Sequence, residues 1–114
     1  MKKLSSYYIQ KTGMVFFPGT LNVHLIEHKY YFPQDCIRLE KEEYEGKVSV
    51  SMIPCKICGK EAYILRTDSD TGKHGYSPEQ ILEIATNVKL RDEFELKDGD
   101  IIEVEVNAGQ IIPV

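Results

Sequence analysis

Apolar and polar residues along this chain alternate mostly with a period of two. Val48, Val50 and Met52 are interleaved with Lys47, Ser49 and Ser51, and Ile102, Val104 and Val106 with Glu103, Glu105 and Asn107. That period puts one set of side chains on each face of a strand. Met14–Phe17, Leu21–Ile26 and Tyr63–Arg66 are short runs rich in aromatic, aliphatic or β-branched residues. Pro18-Gly19, Glu45-Gly46, Asp98-Gly99 and Ala108-Gly109 punctuate them. Gly and Pro in such pairs mark turns, and short strands at this spacing predict a small barrel or sandwich.

Helix signals are few. Ser77-Pro78-Glu79-Gln80 has a capping Ser followed by Pro and reads as a helix start. The five residues after it, Ile81–Ala85, are too few for periodicity to separate helix from strand. Lys89–Phe94 reads as a second helical turn. Residues 35–46 are polar, with Glu40, Lys41, Glu42 and Glu43 in a row, and read as a solvated loop or exposed helical turn. There is no internal repeat.

With 114 residues and 42% hydrophobic content, the chain suits one domain, residues 1–114, around one core. The longest uninterrupted apolar runs are four residues, too short to span a bilayer. The lysines of the N-terminus precede no apolar segment, so it does not read as a secretory signal. Three cysteines argue against a disulfide framework. The expectation is a soluble, cytoplasmic protein.

The net charge of -4 is unevenly spread. Residues 1–31 carry Lys2, Lys3, Lys11 and Lys29 against Glu27, a sum of +3, which leaves -7 for residues 32–114. An acidic body argues against binding a nucleic-acid backbone, but leaves room for a small basic pocket that takes a phosphorylated ligand.

The densest chemistry lies in Phe16-Phe17-Pro18-Gly19-Thr20-Leu21-Asn22-Val23. Pro-Gly turns the chain into a strand, and Thr20 and Asn22, two apart, project from one face of it. A hydroxyl and an amide oxygen are hard neutral donors, suited to a Mg²⁺ whose charged ligands come from a substrate's phosphates. They are also residues that satisfy turns. Glu83 is a lone acid flanked by apolar residues, and its carboxylate needs donors from a ligand or from the backbone. Lys89 and Arg91 are the only Lys or Arg between Lys73 and Lys97. They could face a phosphate or balance Asp92, Glu93 and Glu95. Asp98-Gly99 before the Ile102–Val106 strand reads as a structural turn.

Cys55-Lys56-Ile57-Cys58-Gly59 is half of a zinc knuckle. No second CxxC or HxxxH follows, and His24 and His28 stand in a β context where their spacing does not converge. Zinc and redox chemistry are therefore disfavoured, and ordinary thiols are expected. No Walker loop, GxGxxG, GxSxG or HExxH occurs.

In order along the chain, FFPGTLNVHL, CKICGKEAYILRT and LEIATNVKLRDEFELKDGDIIEVEV resemble the archaeal-type CTP-dependent riboflavin kinases. The resemblance runs from about residue 14 to residue 106. It implies a mostly β fold, a small cradle-loop β-barrel with one or two short helical turns. It also implies transfer of the γ-phosphate of CTP to the 5′-hydroxyl of riboflavin, giving FMN and CDP. By the same resemblance Thr20 and Asn22 hold Mg²⁺. Glu83 binds the flavin, Thr71 and His74 also touch it, and Val88, Lys89, Leu90 and Arg91 contact the nucleotide. The family's first strand and glycine-rich nucleotide loop have no counterpart in the thirteen residues before Met14, which hold one glycine, Gly13. A barrel short of a strand exposes an edge, for which a second copy of the chain is a candidate cover. The competing reading is a non-catalytic relative that binds a flavin, a nucleotide or another small ligand as a sensor or carrier.

Overall fold

The structure, a computed structural model, describes residues 4–25, 29–32, 36–68, 80–106 and 110–113. Helix α1 (Leu4–Thr12) is followed by strands β1 (Leu21–His24) and β2 (Ile37–Leu39) and a 3₁₀ turn (Lys41–Glu43). Strands β3 (Val50–Ile57), β4 (Lys60–Thr67) and β5 (Ile81–Ala85) come next. Helix α2 (Leu90–Glu93) and strands β6 (Glu103–Val106) and β7 (Gln110–Pro113) complete the order.

Among the described residues seven strands make one sheet, six of them in the order β1-β5-β4-β3-β6-β7 and β2 beside β3. Every pairing is antiparallel. The long strand β3 lends one edge to two partners, β2 along Val50–Met52 and β6 along Cys55–Ile57. One apolar cluster takes Val23 from β1, Ile64 from β4, Ile53 and Ile57 from β3, and Val104 and Val106 from β6. In a flat sheet β1 and β6 would lie roughly 19 Å apart, at about 4.8 Å per strand. The sheet curls so that both reach one core, and Leu25, Tyr30 and Leu90 help fill it. The result is a mostly β half-barrel, with β1 and β7 ending the path among the described residues.

The opposite face is also covered. Leu39, Val50, Met52, Leu65 and Ala85 form a second cluster, against which Tyr7 and Tyr8 of α1, Phe16 and Tyr63 pack. Burying aliphatic side chains of this size is worth about 1.5–3 kcal/mol each, so α1 is held by what it covers. The strand read from alternation in residues 47–52 is present as the start of β3, and it is covered on both faces. Ser49 and Ser51 are 6% and 9% exposed. Their hydroxyls are satisfied instead: Ser49 donates to Glu40 at 3.0 Å, and Ser51 accepts from Arg38 at 2.7 Å.

Other expectations are corrected. Helix α1 carries no acidic residue in its first turn and no fully buried residue, which is why its pattern does not stand out. The Met14–Phe17 run forms no strand among the described residues and is tied by the Phe17 N–H to the Thr86 carbonyl at 2.7 Å. Residues 35–46 include a strand, β2, as well as the expected exposed turn. Ile81–Ala85 is a strand, because pairing with both β1 and β4 decides what five residues leave open. The Ser77–Glu79 helix start lies outside the described residues. Leu90–Glu93 is helical as expected.

The CxxCG knuckle is a hairpin. Ile57 pairs with Lys60, and Cys58 and Gly59 between them have φ of 52° and 78°. Two central residues with positive φ make the turn that best matches strand twist. Cys55 is buried in the core, where desolvation pushes its thiol up to about 12. Cys58 is exposed at the turn.

Candidate functional site

The chain enters β1 through the Pro18-Gly19 turn. Gly19 has φ of +100°, which a side chain would strain. One residue on each side of this turn is anchored: Phe17 to Thr86, and Leu21 opposite Ile84 on β5. Thr86 is itself buried and donates its hydroxyl to the Glu61 carbonyl at 2.7 Å. The lead-in to β1 is therefore clamped onto the strand it faces.

That register sets Asn22 directly opposite Glu83. Directly opposed residues point the same way, with Cβ atoms about 5 Å apart. Thr20 reaches the same place, its hydroxyl donating to Glu83 Oε1 at 2.9 Å. The two residues read as metal donors and the acid read as a flavin ligand thus form one group of oxygens. Thr20 and Asn22 are exposed and Glu83 half-buried. Among the described residues Glu83 is in no ion pair. Oxygen donors of this kind fit a hard divalent cation.

The charge of Glu83 also reaches Tyr8 of α1. Burial raises its phenol above the ordinary range, and Tyr44 and the Glu83 carboxylate add to the rise. The sequence did not point to Tyr8, since nothing local ties residue 8 to residue 83.

Val88, Lys89, Leu90 and Arg91 meet the same turn from the other side. A cavity of about 190 Å³ has Phe17, Pro18, Gly19 and Thr20 on one wall and Val88, Lys89, Leu90 and Arg91 on the other. Leu90 is buried in the core and anchors the segment, leaving Lys89 and Arg91 exposed. The Lys89 ammonium lies 4.0 Å from Asp92, and the Arg91 guanidinium 2.7 Å from Asp98. Asp98 sits in the expected turn, where Gly99 has φ of +91° and the Asp100 N–H donates to the Lys97 carbonyl. A larger cleft of about 570 Å³ adjoins, lined by Asn22, His24, Arg91, Lys97 and Ile101 among others. Leu21 and Arg91 border both spaces.

Thr20 is thus shared between two groups: it bonds Glu83, which stands opposite Asn22 in the ladder, and it lines the cavity with Val88–Arg91. Thr71 and His74 lie outside the described residues.

A family model described as CTP-dependent riboflavin kinase, domain of unknown function DUF120, matches residues 1–106. The chain belongs to the CTP-dependent riboflavin kinase family. The match starts at residue 1, so α1 lies inside it. The riboflavin kinase of Archaeoglobus fulgidus is 36% identical over 107 residues, covering 85% of this chain and 42% of that protein. The riboflavin kinase of Thermofilum pendens is 33% identical over 101 residues, covering 79% and 43%. That of Pyrobaculum aerophilum is 33% identical over 104 residues, covering 85% and 47%. The chain spans less than half the length of these curated relatives. Among the described residues no helix of this family member is long and apolar enough to cross a membrane.

Proposed function

We propose that this domain transfers the γ-phosphate of CTP to the 5′-hydroxyl of riboflavin, giving FMN and CDP in a Mg²⁺-dependent reaction. The observation that carries the proposal is the double role of Thr20, which bonds Glu83 opposite Asn22 and also lines the cavity walled by Val88–Arg91. Membership of the family supports the donor and the acceptor.

Each residue then has a task. The Thr20 hydroxyl and the Asn22 side-chain oxygen would hold Mg²⁺. When bound, the ion neutralises charge on the nucleotide's phosphate oxygens. Lys89 and Arg91 offset the remaining phosphate charge. Glu83 binds the flavin, accepting a hydrogen bond from its sugar-alcohol chain and so aiming the 5′-hydroxyl at the γ-phosphorus. One O–P bond forms to the flavin, the bond to the CDP oxygen breaks, and the hydroxyl proton is released. Positioning and charge neutralisation supply most of such a reaction's rate. Thr71 and His74 are further flavin contacts on the resemblance alone.

The net charge of -4 supports small-molecule partners over nucleic acid, and the location proposed with them is cytoplasmic. The outer edge of β1, at the end of the sheet path, supports a homodimer, which sedimentation would test. The test of the activity is FMN formation from riboflavin and Mg²⁺ with CTP, ATP, GTP or UTP offered separately. FMN with CTP preferred is the expected result. Folded protein that binds flavin but forms no FMN with any nucleotide would replace the kinase by a non-catalytic binding protein.

A further inference from the structure

Phe16 and Phe17 are adjacent but have opposite fates. Phe16 turns into the second cluster, its ring 5.0 Å from Tyr8 and 5.8 Å from Tyr63. Phe17 turns away and stays 39% exposed. Leaving an aromatic ring half in water forgoes much of the free energy that burying it would release. The ring is nonetheless well placed. Its own N–H is bonded to Thr86, the next two residues make the Pro18-Gly19 turn, and it lines the 190 Å³ cavity that Val88, Lys89 and Arg91 close from the other side.

The cavity's composition is mixed. Its lining holds apolar Phe17, Pro18, Leu21, Ile84, Val88 and Leu90 beside the cationic Lys89 and Arg91 and the hydroxyl-bearing Thr20 and Thr86. At about 190 Å³ it falls below the roughly 300–1,000 Å³ of pockets that enclose a whole small ligand. It suits one ring of a larger molecule, while the adjoining 570 Å³ cleft has room for the rest. A flat heteroaromatic ring carrying a chain of negative charge matches this composition.

We infer that Phe17 is the stacking platform for the nucleotide's base. The inference rests on the proposal that the Val88–Arg91 cavity holds CTP. The Phe17 ring lies against the face of the base, and the phosphates run toward Lys89 and Arg91. Stacking reads the face of a ring, which every base has, so Phe17 contributes affinity and not the choice of cytosine.

The test is calorimetric titration of the full chain with CTP, ATP and inorganic triphosphate. Phe17→Ala should weaken CTP and ATP alike by about tenfold, the size of one base–aromatic stack, and leave inorganic triphosphate unchanged. Phe17→Tyr should restore CTP affinity, and Phe17→Leu, which keeps apolar bulk without a ring, should not. Arg91→Ala should weaken all three ligands. Unchanged CTP affinity in Phe17→Ala, or an equal loss for inorganic triphosphate, overturns the stacking role. If Arg91→Ala weakens CTP and Phe17→Ala does not, only this inference falls. If wild-type protein binds CTP and neither Arg91→Ala nor Lys89→Ala weakens it, the cavity is not the nucleotide site and both readings fall together.

Discussion

The hydroxyl of Thr20 donates a 2.9 Å hydrogen bond to the carboxylate of Glu83, across 63 residues of sequence. A neutral oxygen donor and an acid that the sequence assigns to different ligands are therefore immediate neighbours. Metal and acceptor would meet within one hydrogen bond, which is what in-line transfer between two bound substrates requires.

Removing a donor from this group should affect turnover far more than folding. Asn22→Ala is expected to lower FMN formation about 10²-fold, the scale of losing correct positioning, and to move the Mg²⁺ dependence to higher concentration. Asn22 is exposed on an edge strand, so the melting temperature should change little. Activity titrated with Mg²⁺, alongside thermal unfolding, separates the two. Unchanged Mg²⁺ dependence would remove Asn22 from the metal site.

Glu83→Gln should weaken riboflavin binding and leave a spectroscopic mark. The Glu83 charge contributes to the raised phenol of Tyr8, after burial and Tyr44. Removing it should bring Tyr8 ionisation down toward the ordinary range without reaching it, because burial remains the largest cause. Ultraviolet titration of the tyrosines, with Tyr8→Phe as reference, reads this directly. No movement would mean that Tyr8 and Glu83 do not sense one another.

Acid should unfold the protein partly through Arg38. Its guanidinium reaches Asp68 at 2.8 Å and 2.9 Å and Glu40 at 3.0 Å and 3.3 Å. Those hydrogen bonds hold both carboxyls below the usual range, with Ser49 assisting at Glu40. A folded-state value below the unfolded one means that the unfolded chain takes up protons first. The contribution is complete above the ordinary carboxylate range and drains away as pH falls below about 4. Urea midpoints measured from pH 6 to pH 3 should therefore fall, and fall less steeply in Arg38→Gln. Equal slopes in both proteins would show that these pairs add nothing.

The Cys58-Gly59 turn offers a gain. Cys58 holds φ of 52° at a position where Asn is strongly preferred in such hairpins. Cys58→Asn should raise stability by about 0.5 kcal/mol or more, read as a melting temperature a few degrees higher. In the wild type, a thiol reagent should label exposed Cys58 in the folded protein and buried Cys55 only after unfolding. Rapid native labelling of Cys55 would contradict its place in the core.

Much of this was legible in the chain, and the reason is locality. Alternation in Val50–Met52 and Glu103–Val106, and the turn residues at Pro18-Gly19 and Asp98-Gly99, record the environment of the residue that carries them. Thr20, Asn22, Glu83, Lys89 and Arg91 stood out as polar or charged groups that need partners, and the resemblance to the family added Val88 and Leu90. Helix α1 and strand β2 did not stand out. Their sequences are weakly patterned, and tertiary contact decides them, through Tyr7 and Tyr8 on the sheet and the pairing of Ile37 with Met52.

By itself, then, the sequence determined that the chain is mostly β, where most of its strands and turns lie, and which side chains are chemically out of place. Only the tertiary structure decided that both faces of the sheet are covered, and that Thr20 touches Glu83 while Phe17 stays out of the core. The contact between Thr20 and Glu83 depends on the register between β1 and β5. Register is set by the summed burial of whole strand faces, which no single stretch of the chain contains.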